Sequence, residues 1–194
     1  GELKWAAAAR SKAKLEALRE GLGSEASELP LIVADATDEA SLQQMCARSR
    51  VVVSTVGPYA LYGEPLIKVC AQSGTDYCDL TGEVQWIRQM IDRYHSLACE
   101  SGARIVHCCG FDSIPSDLGV AFLQEEVVQR FGQPCTRIKM RVKGMRGGFS
   151  GGTAASILNV VKQAATDSDL RKELANPYSL CDPNSIVAVL QPNV

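Results

Sequence analysis

The residues best equipped for chemistry stand in short polar clusters, each placed just after an apolar run. The stretch "CCGFDSIPSDLG", residues 108–119, puts two aspartates, two serines and a proline behind such a run. Tyr59, Tyr62, His107 and Asp112 are the side chains in these clusters that could give or take a proton. Each type also serves packing at the end of a strand. Arg10, Ser11 and Lys12 stand together without an acid, a set that suits a phosphate group. Cys108 and Cys109 offer thiols, but burial in an apolar run keeps thiols protonated and inert. The 8 cysteines form no CxxC pair and only 2 histidines could assist them, so metal-ligand spacing is absent.

The totals narrow the class. Hydrophobic residues make up 46% and charged residues 22%, as in ordinary globular proteins. A net charge of -2 gives no basic surface for nucleic acid. Cysteines scattered through apolar runs behave as small hydrophobes and fit a reducing compartment better than a disulfide scaffold. No apolar run reaches the roughly 20 residues that span a bilayer, so no transmembrane segment is expected in this chain. The expected location is the cytoplasm, with association of the full-length protein at a membrane or lipid surface left open.

These clusters need elements to hold them. Apolar strands are expected over 3–9, 29–35, 50–59, 75–80 and 103–110. Helices are expected over 12–22, 38–49, 63–74, 83–102 and 113–131, with Leu15, Leu18 and Leu22 at helical spacing in the first. Asp38 is an N-cap, Pro65 sits in a first turn, and Gly74 and Gly102 close helices. Five strand–helix alternations with apolar strands predict an α/β fold: a Rossmann-type parallel sheet with helices on both faces. Residues 1–131 form a partial dinucleotide-binding domain. Residues 135–145 alternate polar and apolar, as an antiparallel strand does, so 132–194 are read as the beginning of a second, α+β domain for substrate or oligomerisation.

In such a sheet, ligands bind beyond the carboxyl ends of the strands. Arg10, Ser11 and Lys12 then fall where an adenosine ribose lies. A basic set there selects a 2′-phosphate, hence NADP over NAD, though the same residues would also serve as an ordinary solvated helix start. No GxGxxG turn precedes them, and the phosphate-binding turn is expected upstream of Gly1. Residues 146–156, "RGGFSGGTAAS", are glycine-rich and enter a helix, but in the wrong part of the chain for that turn. The loop at 110–117 likewise reads in two ways. Asp112 or Ser113 can cap a helix, Pro115 needs no donor in a first turn, and Asp117 favours the dipole.

The motifs "VGPYALYGEPLIKVCAQSGTDYCDLTGE" and "CGFDSIPSDLG", with "SGGTAAS" at 150–156, resemble the saccharopine dehydrogenase-like oxidoreductases. That family includes trans-acting enoyl reductases of lipid biosynthesis. The resemblance runs from about residue 6 to 156. It implies an NAD(P)H-dependent oxidoreductase, with lipid metabolism as the expected setting for a reductase acting on a small-molecule substrate; the basic set at residues 10–12 makes NADP the expected cofactor. The oligomeric state is left open, with a homodimer through the second domain as one arrangement. Arg10 and Ser11 would contact the 2′-phosphate, and Asp35 and Ala36 would lie near the adenine. Val56, Gly57, Pro58 and Tyr59 would pass beside the pyrophosphate and nicotinamide ribose. Gly110 to Asp112 would close the nicotinamide side. Of the proton-handling candidates, Tyr59 and Asp112 are taken as the catalytic residues, with no acid–base pair evident between them. A chain without the glycine turn is expected to be inactive alone. The alternative is a non-catalytic nucleotide-sensing or interaction module that keeps the fold.

Overall fold

The computed structural model describes residues 3–144, 146–148 and 150–181. Strands and helices alternate as β1 (Ala7–Ala9), α1 (Lys12–Gly21), β2 (Leu31–Val33), α2 (Glu39–Cys46), β3 (Val51–Ser54), α3 (Tyr59–Tyr62) and α4 (Glu64–Ser73). They continue as β4 (Asp76–Asp79), α5 (Val84–Ser101), β5 (Ile105–Val106), α6 (Ile114–Phe131), α7 (Gly151–Thr166) and α8 (Ser168–Ala175). Every strand pairing is parallel. The strands are shorter than their apolar runs, because only the paired core of each run forms ladder bonds.

Local chemistry sets the helix limits. The Asp38 carboxylate accepts from the Ala40 amide and starts α2. Gly74 and Gly102 take the left-handed conformation that ends α4 and α5, with φ of 71° and 81°. Side chains from α2, α4 and α5 pack with Ile32 and Tyr77 into the core, where Ile67, Cys70 and Tyr77 are at most 1% exposed. Ion pairs join these helices at the rim: Lys68 to Glu39, and Arg93 to Glu64, both at 2.8 Å.

The strands form two ribbons, β1-β2 and β3-β4-β5. Among the described residues β1 pairs only with β2, and β3 only with β4, so each keeps one edge free. Alternation exposes Val33, Val51, Val53 and Val106 on one face, while Val52 packs on the core. The helical cover on that face is correspondingly thin, and α6 buries none of its residues.

Beyond α6 the structure departs from the alternation pattern. Residues 135–144 form no strand. A strand buried on one face needs a ladder partner, and the described residues offer none there. The glycine-rich stretch does enter a helix, α7, whose Ser150 N-cap accepts from the Thr153 amide. Helix α8 packs back onto α5, and the Arg88 side chain reaches the Ser179 carbonyl at 3.4 Å. Residues 182–194 of the expected second domain lie outside the described residues.

Candidate functional site

A cavity of about 440 Å³ opens at the carboxyl ends of β1, β2 and β3. Its lining brings together Arg10, Asp35, Ala36, Val56, Gly57 and Tyr62, with Ala8, Ala9, Val52 and Val53 as its apolar floor. Ser11 stands next to it as the N-cap of α1, accepting from the Lys14 amide at 3.4 Å. Arg10 lines the cavity, and the start of α1 follows it directly in the chain. The Asp35 carboxylate accepts from the Thr37 amide at 2.9 Å and hydroxyl at 2.8 Å. Those bonds, with Arg10 nearby, hold its carboxyl below the usual range.

Pro58 and Tyr59 carry the chain from this cavity to a second cluster around Asp79–Glu83. Tyr59 is 6% exposed, and its position on the short helix α3 turns the ring inward against Trp86. Its hydroxyl donates to the Ser54 carbonyl at 3.0 Å and accepts from the Leu80 amide at 3.2 Å. Burial, followed by the Asp79 and Glu83 charges, pushes the phenol up. Both hydrogen-bonding roles of the hydroxyl are thus filled by backbone.

Asp79 is fully buried at the end of β4. A buried carboxylate must be paired, and four donors surround it. The Tyr77 hydroxyl at 3.0 Å and His107 Nδ1 at 2.7 Å reach Oδ2; the Thr81 amide at 3.1 Å and the Cys108 amide at 3.2 Å reach Oδ1. The histidine bond fixes its Nδ1–H tautomer toward the carboxylate. Trp86 packs edge-on to the same ring. Burial and the Asp79 charge push the Tyr77 phenol far up. Cys108 carries a positive φ of 60°, an uncommon conformation for a non-glycine residue, and the bond to Asp79 secures it. Burial and the Asp79 and Asp112 charges also push its thiol up, so it is no nucleophile.

The loop after β5 leads to Asp112, which is exposed. Its carboxylate rests between two glycines. A Cβ at Gly110 would lie 2.8 Å from Oδ1, and one at Gly82 would lie 3.8 Å from Oδ2. Ser113 occupies the N-cap of α6, but its hydroxyl makes no capping bond and lies instead by the Cys108 thiol. The expected side-chain cap is therefore absent, and the Ile114 amide is met by the Gly110 carbonyl at 2.9 Å. Pro115 and Asp117 do sit in the first turn.

Residues 1–106 match the family described as the saccharopine dehydrogenase NADP binding domain. The chain belongs to that family. A Mycobacterium tuberculosis protein is 48% identical to this saccharopine dehydrogenase-like chain over 180 residues, 93% of the chain and 43% of the relative. A trans-acting enoyl reductase of the same species is 45% identical over 177 residues, 90% of the chain and 42% of the relative. The chain thus spans less than half the length of these curated relatives. A solved apo saccharopine dehydrogenase (L-Glu forming) from Saccharomyces cerevisiae aligns with a TM-score of 0.45 and 24% identity, over 64% of this chain and 25% of that one. The fold assignment rests on the parallel strands and their connecting helices, not on that alignment.

NADP is the cofactor that the family's description names. Arg10 brings positive charge to the cavity lining, and no acid stands at residues 10–12. Sequence reasoning placed these residues but gave no role to Asp79, Glu83 or Ser156. An aspartate closing an apolar strand was the available signal, since a buried carboxylate requires donors.

Proposed function

We propose that this chain carries the dinucleotide cleft of an NADP-dependent oxidoreductase, a reductase acting on a lipid-derived enoyl substrate. The observation that carries the reading is the cavity at the ends of three parallel strands, lined by both Arg10 and the Gly57 turn. The names of the relatives support the reaction class. When bound, the nicotinamide supplies hydride, and protein groups orient the substrate and handle the proton.

In this reading Arg10 and Ser11 hold the 2′-phosphate, and Asp35 and Ala36 flank the adenine. Val56, Gly57 and Pro58 pass beside the pyrophosphate and the nicotinamide ribose. Asp112, exposed and cradled by Gly82 and Gly110, accepts a hydrogen bond from cofactor or substrate. Tyr59 acts through the turn it anchors, because its hydroxyl already donates to Ser54 and accepts from Leu80.

Cofactor preference tests the assignment. The intact protein should bind NADPH in preference to NADH, and Arg10→Asp should reverse the order, as read by nicotinamide fluorescence titration. Equal affinity of the unmodified protein for both would sink it.

A further inference from the structure

Glu83 is 4% exposed, and its carboxylate joins three separate parts of the chain. It accepts from the Tyr59 amide at 2.7 Å, the Ala60 amide at 3.0 Å and the Ser156 hydroxyl of α7 at 2.9 Å. The two amides alone would give a helix-start carboxylate its partners. The third donor comes from 73 residues further along. Glu83 occupies the N-cap position of α5 yet makes no side-chain capping bond there. Its own amide is held by the Thr81 hydroxyl at 3.1 Å, and the Thr81 amide by Asp79. The carboxylate is thereby aimed away from its own helix. Contact at Gly57 is also close: a Cβ there would lie 3.7 Å from the Ser156 hydroxyl.

We propose that Glu83 and Ser156 form a latch through which occupancy of the Gly57–Tyr59 turn fixes α7 over the cleft. Both are positioning residues, and the proposal rests on the reading of the cleft as a dinucleotide site. A ligand lying along Gly57 and Pro58 restrains the Tyr59 and Ala60 amides. Those amides orient the carboxylate, and the carboxylate holds the α7 hydroxyl. The bond to α7 is part-buried and ends on a buried carboxylate, so it transmits that restraint better than an exposed contact would.

Hydrogen exchange of the intact protein tests this, with parent, Ser156→Ala and Ser156→Thr compared without nucleotide and at equal NADPH occupancy. Occupancy is read separately by nicotinamide fluorescence. Without nucleotide, Ser156→Ala should speed exchange in α7 by about tenfold while α5 is unchanged, and Ser156→Thr should restore the parent rate. NADPH should slow α7 in the parent and in Ser156→Thr, and leave it unchanged in Ser156→Ala. Equal α7 exchange in parent and Ser156→Ala without nucleotide overturns the latch, as does NADPH protection of α7 that survives Ser156→Ala. If NADPH binds to none of the three, the cofactor reading fails; the proposed coupling fails with it, and the nucleotide-free comparison still decides whether the Ser156 contact holds α7.

Discussion

Two aspartates five residues apart separate chemistry from architecture at the scale of single residues. Asp117 lies in the first turn of α6, where a negative charge meets the free amides of the helix start. Asp117→Ala should cost about 0.5 kcal/mol, lower Tm slightly and leave nucleotide affinity unchanged. Asp112 touches no helix amide and rests over Gly82 and Gly110. In the intact protein, Asp112→Ala should weaken NADPH binding or turnover by about tenfold with little change in Tm. Unaltered binding and turnover would reduce this loop to a helix start. The loop's polarity was legible in the sequence. The division of labour within it was not, because a serine before a proline reads as a cap whether or not its hydroxyl turns to a neighbouring thiol.

The order of elements was legible, because apolar runs and helical spacing follow from each segment's own residues. What binds element to element was not. Asp79 and Asp76 both belong to β4, and only the fold reveals that they join it to β5 and its loop. Asp79→Ala removes the acceptor of four donors at once. It should destabilise the chain by about 3 kcal/mol or more, measurable by urea unfolding. Asp76 is the half-buried counterpart: its pairing with the Arg104 guanidinium pulls its carboxyl down to about 2. A depressed carboxyl stabilises above its unfolded value, near 3.9, and that contribution is lost as pH falls toward about 2. Arg104→Ala should therefore narrow the stability difference between neutral and acid pH, with most of its effect gone below the folded value. An unchanged acid-unfolding profile would show that solvent screening leaves the pair inert. The alternating segment at 135–144 fails as a strand for a related reason: period alone cannot supply a partner.

At the scale of the molecule, two parallel ribbons leave a cleft of uneven polarity. Its lining carries Arg10, just ahead of α1, and the Gly57 turn. The floor is Ala8, Ala9, Val52 and Val53, along the free edges of β1 and β3. A pyrophosphate crossing that floor needs converging amide donors of the kind a glycine-rich helix start provides, and a free strand edge spaces its amides along the strand, alternating with carbonyls, rather than converging them on one anion. The adenosine 2′-phosphate should therefore contribute most of the affinity this chain has. NADPH should bind the 194-residue chain more weakly than the micromolar range. A 2′-phosphorylated adenosine monophosphate should bind within a few-fold of NADPH, since the rest of the dinucleotide gains little. Calorimetry with both ligands checks this. Micromolar NADPH binding, with the smaller ligand far weaker, would mean that the described residues already hold the pyrophosphate and that the apolar floor is no obstacle.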